Sequence, residues 1–195
     1  MKIVVCLKPV RSELVYKKDE GYEEFVLNPY DLYVIKQCIE LKKTCDCEII
    51  CLAMGVKSSE EILLKVKALG MDEVILLSDS RFGGSDTVAT TYILSKAIEK
   101  IGDVDVVLCG KSSVDGETGQ VGFGISEQLN YYVTDKVSKI NGFQDGKANV
   151  VEEDENYEKV VDISLPAVLI CSQFELKYPI ISLIKLKRVK KTGIQ

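Results

Sequence analysis

Short runs of apolar residues alternate along the chain with longer segments in which apolar residues recur every three or four positions. Four of the runs are continuous rather than alternating, which is typical of strands that are buried on both faces. These runs are residues 3–7, 48–54, 73–77 and 104–109. The pattern therefore predicts four buried strands in the first part of the chain.

The segments between these runs have the spacing of amphipathic helices. The first helix is predicted to begin at Asn28 and Pro29, because asparagine suits the N-cap and proline the first helical position. The second opens with Ser58 and Glu61, whose spacing is that of a capping box. Two further helices are predicted at about residues 86–100 and 119–129.

Regular alternation of strand and helix up to about residue 130 predicts right-handed crossovers and a mostly parallel sheet with helices on both faces. The expected fold is α/β, a three-layer α/β/α sandwich with a Rossmann-like sheet. Three short strands within 133–163, separated by Asn141-Gly142 and an acidic segment, indicate a small antiparallel appendage. Residues 165–171 are expected to return to the sheet. This predicts one α/β domain over 1–172 and a basic tail over 173–195 without a fold element of its own.

Composition and charge exclude several classes of function. The 195 residues include no histidine, so neither a Ser-His nor a Cys-His nucleophile nor a histidine-ligated metal site can form. A net charge of −5 argues against nucleic-acid binding as the main role. No paired carboxylates or nucleophile–base pair can be placed on the sequence, which disfavours hydrolysis.

The seven cysteines are expected to be reduced. Most lie inside apolar runs, where cysteine packs as a small hydrophobic residue. Cys45 and Cys47 form an isolated C-x-C, and no C-x-x-C pair is present for zinc or redox chemistry. No apolar stretch is long enough to span a bilayer, and no signal peptide is recognised. We therefore expect a cytoplasmic protein that is not inserted in a membrane.

The loop after the fourth strand is the most informative candidate site. A phosphate there would meet free backbone amides and the positive end of the next helix dipole, and Lys111 would add a charge. Asp115 and Glu117 would repel phosphate unless they point away, bind a ribose hydroxyl or hold a cation. The loop reads Gly110-Lys111-Ser112-Ser113-Val114-Asp115-Gly116-Glu117-Thr118-Gly119-Gln120.

Other segments are expected at the same edge of the sheet, because ligands bind at the carboxyl ends of parallel strands. These are residues 8–10, 54–55 and 78–87. The 110–120 loop has neither Walker nor dinucleotide-fingerprint spacing, so a phosphate site and an ordinary strand-to-helix loop both remain open. Helix capping alone is the simpler interpretation of residues 28–31 and 82–87.

Taken together, these motifs resemble the beta subunit of electron transfer flavoprotein. The matching stretches follow the family's order from residue 1 to about 170, and the 110–122 loop is the most specific of them. They are Met1–Lys8, Asn28–Asp31, Met54-Gly55, Ala68–Asp72, Asp86–Thr90, Gly110–Gly122 and Leu165–Val168.

The resemblance implies a sheet of the adenine nucleotide alpha hydrolase type and an adenine nucleotide bound to this chain. The nucleotide would be AMP, as in simpler members, or FAD, as in the electron-bifurcating members to which residues 81–90 are more similar. By matching position, Cys6 would lie beside the base, and Gly110 to Val121 would wrap the phosphate. Asn28, Pro29, Tyr30, Asp31 and Met54 would line the adenosine.

The resemblance also implies a heterodimer. An alpha subunit would hold the electron-carrying FAD, with this chain packed against it, and electrons would pass to or from an acyl-CoA dehydrogenase-type partner. The chain would then be a subunit of an electron carrier rather than a catalyst. Residues 173–195 would be the remnant of the family's partner-docking arm, and their lysines favour a solvated or docking segment over nucleic-acid or lipid binding.

An alternative comes from a different class of protein. A stand-alone adenine-nucleotide sensor or stress-type module would have the same alternating architecture. It would form a homodimer and bind a nucleotide with neither an alpha subunit nor a flavin.

Overall fold

A computed structural model describes residues 1–16 and 23–195. The strands are β1 (Lys2–Leu7), β2 (Pro9–Arg11), β3 (Phe25–Leu27), β4 (Glu48–Met54), β5 (Glu73–Leu77), β6 (Val106–Gly110), β7 (Tyr132–Gln144), β8 (Lys147–Asp154), β9 (Tyr157–Ser164) and β10 (Ala167–Cys171). The α-helices are α1 (Pro29–Thr44), α2 (Glu60–Ala68), α3 (Thr87–Ile101), α4 (Val121–Leu129) and α5 (Leu183–Thr192). Short 3-10 turns cover Ser12–Leu14, Lys57–Ser59 and Ser80–Phe82.

Eight strands form one sheet in the order β5-β4-β1-β6-β10-β7-β8-β9, and β2 and β3 form a separate antiparallel pair. Neighbouring strands from β5 to β7 are parallel, and β8 and β9 continue the sheet antiparallel. The chain first adds β4 and β5 on one side of β1 and then crosses to β6 on the other side. Strand order therefore reverses between β1 and β6, which is where open α/β sheets bind ligands.

Helices cover the sheet on both faces, as the alternation of strand and helix predicts. Side chains of α1 and α2, such as Leu32, Ile35 and Leu63, share one core with alternate residues of β1 and β4. Leu94 and Ile98 of α3 and Ile125 of α4 pack in a second core against the opposite face. The predicted three-layer α/β/α sandwich is confirmed.

The antiparallel strands are longer than predicted and extend the main sheet. Asn141 and Gly142 do not form a turn but lie inside β7, where the pairing with β8 shifts register. The chain turns instead at Asp145 and Gly146, both of which have positive φ (52° and 71°). An Asp-Gly pair with two positive φ angles matches the twist of a two-residue hairpin, whereas Asn141 and Gly142 lie at the register shift within the pairing of β7 with β8.

The basic tail has more structure than the sequence predicted. Residues Leu183–Thr192 form α5, which begins after Ser182 and packs against α2. Beyond it, Gln195 hydrogen-bonds the edge strand β5, since its N–H donates to the Val74 carbonyl (3.0 Å) and its carbonyl accepts from the Leu76 N–H (2.8 Å). The prediction of a tail without a fold element is wrong, because the helix depends on contacts with a distant part of the chain, among them the ion pair of Lys190 with Glu61 of α2 (2.9 Å), which local pattern does not show.

The start of the second helix also differs from prediction. The helix begins at Glu60, one residue later than a Ser58 cap would place it, after a 3-10 turn. Ser59, the buried last residue of this turn, donates its hydroxyl to the Val56 carbonyl (2.7 Å) rather than capping the helix. The predicted capping box of Ser58 and Glu61 is therefore wrong.

Candidate functional site

A cavity of about 370 Å³ opens where the strand order reverses. Its floor is formed by the ends of β1 and β6, and its walls come from the loops that follow these strands and from the segment before α3. Its size lies within the usual range for small-molecule sites. The lining residues are Cys6, Leu7, Lys8, Asn28, Asp31, Met54, Phe82, Gly84, Ser85, Asp86, Thr87, Thr90, Leu94, Cys109, Gly110, Lys111, Ser112, Ser113, Gly116, Thr118, Gly119, Val121 and Gly122.

Gly110 allows the start of α1 to lie directly against the end of β6. A Cβ atom at this position would lie 2.5 Å from Asp31 Oδ1 and 2.7 Å from the Cβ of Tyr30, closer than any real contact. Glycine is therefore required here for a close approach of two backbones. The same approach brings the side chain of Asp31 to the edge of the cavity.

Asp31 is a buried carboxyl group beside the cavity. Its Oδ2 accepts a hydrogen bond from the backbone N–H of Lys8 (2.7 Å). Burial raises the pKa of Asp31 to about 7, against the opposing effects of hydrogen bonds from Lys8 and Asn28. The site thus holds a carboxyl group that changes its charge near neutral pH.

Asn28 joins the start of α1 to the loop after β6. Its Nδ2 donates to the Ser112 carbonyl (2.8 Å), and its Oδ1 accepts from the Val114 N–H (3.3 Å). The side chain makes no capping hydrogen bond to α1, so the prediction that Asn28 caps this helix is wrong. Its amide, which can donate and accept at once, is used to hold the 110–120 loop.

The first turn of α4 borders the cavity. The first intrahelical hydrogen bond of α4 runs from the Gly124 N–H to the Gln120 carbonyl (3.0 Å), which leaves the preceding amides outside the helical ladder. Thr118, Gly119, Val121 and Gly122 all line the cavity at this end. A helix N-terminus with its amides at a cavity favours an anionic group there.

The acidic residues of the loop do not line the cavity. Asp115 Oδ1 accepts a hydrogen bond from Lys8 Nζ (2.7 Å), and this ion pair lies at the surface. Burial raises the pKa of Asp115, but the hydrogen bonds from Lys8 and Ser113 outweigh it and lower the pKa below its usual value. Glu117 adopts positive φ (52°) and also lies outside the lining. The repulsion expected from these two carboxylates is therefore removed, because both point away.

The opposite wall is formed by the segment before α3. Asp86 caps this helix, since its Oδ1 accepts from the Ala89 N–H (2.8 Å). Thr87 Oγ1 lies 3.5 Å from Thr118 Oγ1, which links the two walls. The capping interpretation of this segment is correct, yet the same residues also line the cavity.

The structure brings twelve of the eighteen predicted site residues to the cavity and leaves six outside its lining. Pro29 and Tyr30 lie in the first turn of α1, where the Tyr30 ring packs against Phe174. Val114 donates its N–H to Asn28, and Gln120 accepts the first hydrogen bond of α4. Asp115 and Glu117 point outward.

Several lining residues escaped the sequence prediction. Leu7 and Cys109 are the last apolar residues of buried strands, and Leu94 lies on a helix, so each has the pattern of ordinary core. Gly122 follows the predicted loop, and a Cβ there would lie 2.7 Å from the Ile170 side chain. Cys109 had the clearest available signal, because it directly precedes the glycine that opens the predicted loop.

Within residues 1–16 and 23–195, no group of three or more Cys, Asp or Glu side chains is arranged to hold a metal ion. Across the same residues, no helix combines the length and the apolar character needed to cross a bilayer.

Fold and cavity together define an open, mostly parallel α/β protein with a ligand-sized cavity at its topological switch point. The chain belongs to the electron transfer flavoprotein domain family, whose model matches residues 17–179. This confirms the resemblance found in the sequence.

Named relatives agree with this assignment. The chain is 36% identical over 180 residues to the caffeyl-CoA reductase-Etf complex subunit CarD of Acetobacterium woodii, covering 88% of this chain and 68% of the relative. It is 37% identical over 151 residues to protein FixA of Azorhizobium caulinodans (72% and 54% covered). It is 32% identical over 189 residues to the electron transfer flavoprotein subunit beta of Clostridium acetobutylicum (92% and 71% covered). The matched part of the chain thus spans between 54% and 71% of the length of these relatives.

Proposed function

We propose that this chain is a beta-type subunit of an electron transfer flavoprotein and that its cavity binds an adenine nucleotide, either AMP or the adenylate half of FAD. The observation that carries the proposal is the first turn of α4, which borders the cavity beside Lys111. The free backbone amides of this turn and the ammonium group of Lys111 at one end of the cavity suit a phosphate group. Leu7, Met54 and Leu94 supply an apolar surface for a base at the same cavity.

The residues of the cavity fit such a ligand in shape as well as in charge. Gly116 and Gly119 line it without side chains, and Gly119 has a positive φ (64°) that favours glycine. The outward-facing Asp115 neutralises Lys8 instead of opposing a phosphate. The role proposed for the chain's own residues is to bind and orient the nucleotide, and the flavin supplies the redox chemistry when bound.

We further propose that the partner is a flavin-binding alpha subunit and that the complex exchanges electrons with an acyl-CoA dehydrogenase-type or reductase-type protein. Support comes from the names of the relatives, two of which are Etf subunits. It also comes from apolar side chains near the end of the chain, where Ile180 is 100% exposed and Leu183 and Ile184 are 73% and 74% exposed. Exposed apolar residues that lie close together in the sequence support an interaction surface there.

The seven free cysteines fit a reducing compartment such as the cytoplasm. We therefore keep the cytoplasm as the proposed location. Fractionation of the native cells followed by immunoblotting tests it, and recovery in an oxidising compartment would contradict it.

Calorimetry on protein stripped of small molecules tests the nucleotide proposal. AMP and FAD are titrated in separate experiments, with adenosine as the ligand that lacks a phosphate. Lys111→Ala is expected to weaken AMP binding about tenfold, the loss of one charge-assisted hydrogen bond, and to leave adenosine binding unchanged. Lys100→Ala, an exposed lysine at the far end of α3, is the matched control.

The outcomes separate the alternatives. No heat with either nucleotide, or equal effects of the two lysine variants on AMP binding, would contradict the nucleotide proposal. Nucleotide binding by a homodimer that forms no complex with an alpha subunit would instead support the stand-alone sensor module.

A further inference from the structure

Two cysteines of neighbouring strands lie side by side in the floor of the cavity. β1 and β6 are parallel, with Val4 opposite Val107 and Val5 opposite Leu108. The next pair in this register is Cys6 and Cys109. Both side chains belong to the core beneath α3 and α4, so they point to the same face of the sheet.

The spacing of this pair suits a covalent bond between the two sulfurs. Neighbouring strands lie about 4.8 Å apart, and residues joined by a disulfide have Cα atoms roughly 4.4–6.8 Å apart. The thiol of Cys6 also has the largest effect in raising the pKa of Cys109, which indicates that the two groups lie within interaction distance. In the structure both cysteines are free thiols.

Access distinguishes this pair from the other buried cysteines. Cys6 is 8% exposed and Cys109 is 4% exposed, and both line the cavity. Cys38, Cys51 and Cys171 are completely buried on the other face of the sheet and do not line it. A small molecule that enters the cavity therefore reaches two adjacent thiols there and none of the other three.

We propose that Cys6 and Cys109 form a site of reversible two-electron oxidation, in which a small hydroperoxide enters the cavity and joins them by a disulfide bond. Cys6, the more exposed of the two, reacts first. Its sulfur, as the thiolate, attacks one oxygen of the hydroperoxide, the O–O bond breaks, and the other oxygen leaves as water or alcohol after taking a proton. Cys6 is then a sulfenic acid.

Cys109 completes the reaction. Its sulfur attacks the sulfur of Cys6, the S–O bond breaks, and hydroxide leaves as water with the proton of Cys109. The two thiols lose two electrons and two protons in total, and the hydroperoxide gains both. A small dithiol reverses the change by thiol–disulfide exchange and is itself oxidised to a disulfide.

The test uses the full chain with Cys45→Ser and Cys47→Ser, so that the half-buried C-x-C does not react. Hydrogen peroxide is added to folded protein, and intact mass and peptide mapping follow the reaction. The expected product has lost two hydrogen atoms, carries a Cys6–Cys109 cross-link and returns to the starting mass with dithiothreitol. Cys6→Ser and Cys109→Ser are each expected to abolish the cross-link, and Cys51→Ala, a buried cysteine outside the cavity, is expected to retain it.

Three results would overturn the proposal. These are a folded protein whose cavity thiols remain unmodified, a cross-link between other cysteines, or oxidation of Cys6 beyond the sulfenic acid without a cross-link. Circular dichroism of each variant before treatment identifies variants that fail to fold. The Cys45→Ser/Cys47→Ser protein retains both Cys6 and Cys109, so the presence or absence of the cross-link in it tests the proposal even if the other variants do not fold.

A second arm rests on the proposed function. If a nucleotide occupies the cavity above Cys6, AMP at about ten times its dissociation constant is expected to slow cross-linking about tenfold, because only the unliganded fraction reacts. If the cross-link forms equally fast with AMP bound, the proposed position of the nucleotide is contradicted, but the proposed oxidation of Cys6 and Cys109 is supported. If no cross-link forms in the absence of AMP, the proposed oxidation of Cys6 and Cys109 is rejected, and the proposal of nucleotide binding is unaffected.

Discussion

At the scale of single residues, the contact between Gly110 and the start of α1 leaves no room for a side chain. The atoms that a Cβ would meet, Asp31 Oδ1 and the Cβ of Tyr30, are held by the hydrogen bond from Lys8 and by the helix backbone. A close approach of this kind positions the helix, the buried carboxyl group and the loop after β6 together.

Gly110→Ala is therefore expected to destabilise the protein by roughly 1–3 kcal/mol, as overpacking does in other tight contacts. Denaturant unfolding measures the change. Gly116→Ala in the same loop is the control, since its Cβ would make only an ordinary contact with Ser113 Oγ at 3.5 Å. Equal stability of the two variants would show that α1 moves away without cost.

Asp31 gives the stability of the protein a pH dependence. The pKa of this residue is raised to about 7 by burial, whereas the unfolded chain has its ordinary value near 3.8. Between these two values the folded state binds the extra proton, so stability is highest at the acidic end and falls as pH rises towards 7. Cys109 and Cys171, which lie near this carboxyl group, have raised pKa values and stay neutral in this range.

Asp31→Asn resembles the protonated acid and removes this dependence. The difference in unfolding free energy, wild type minus variant, is expected to fall by an amount on the order of a few kcal/mol between pH 4 and pH 8. Chemical unfolding across this pH range measures it. A difference that stays constant, or rises with pH, would mean that Asp31 is ionised throughout.

At the scale of elements, the edge strand β5 is covered by the residues after α5. The Gln195 N–H and carbonyl continue the hydrogen bonding of the sheet, and Lys67 Nζ donates to the Gly193 carbonyl (2.8 Å). Covering an edge in this way hides backbone groups that would otherwise pair with another chain.

Gln195→Pro removes the donor to Val74 and is expected to cost about 1 kcal/mol. It is also expected to speed hydrogen exchange at the Leu76 amide, because this amide donates its hydrogen bond to the Gln195 carbonyl. Gln195→Ala keeps both backbone hydrogen bonds and is the control. Unchanged exchange at Leu76 in the proline variant would show that the cover of β5 does not depend on this pairing.

At the scale of the whole molecule, the exposed apolar residues Ile180, Leu183 and Ile184 are the surface proposed to contact a protein partner. These side chains stand beside the lysines of α5 and are largely exposed. Burial of exposed apolar side chains on association is favourable, by about 25 cal/mol for each Å² of apolar surface removed from water.

The double variant Ile180→Ser/Ile184→Ser is expected to weaken binding to the proposed alpha subunit by about tenfold or more without loss of stability. Surface plasmon resonance with the purified alpha subunit measures it. Val160→Ser, an exposed apolar residue on the edge strand β9, is the control. If the control weakens binding and the double variant does not, the partner docks at the other end of the sheet.

Local pattern was sufficient for the layered fold and for the loop at its centre. Continuous apolar runs identified β1, β4, β5 and β6, because strands buried on both faces cannot alternate. The glycines and hydroxyl residues of 110–120 identified the loop, since few other residue types allow a tight strand-to-helix connection. The roles of Asn28 and Asp115 were not readable, because each depends on a partner more than eighty residues away.

The sequence by itself determined the alternating α/β architecture, the absence of histidine chemistry and the family to which the chain belongs. The tertiary structure alone decided which side chains face the cavity and that Asp115 pairs with Lys8 outside its lining. It also decided that Cys6 and Cys109 lie side by side. The reason is physical. Periodicity and turn chemistry act over a few residues, whereas neighbours across parallel strands are set by the order in which crossovers place the strands.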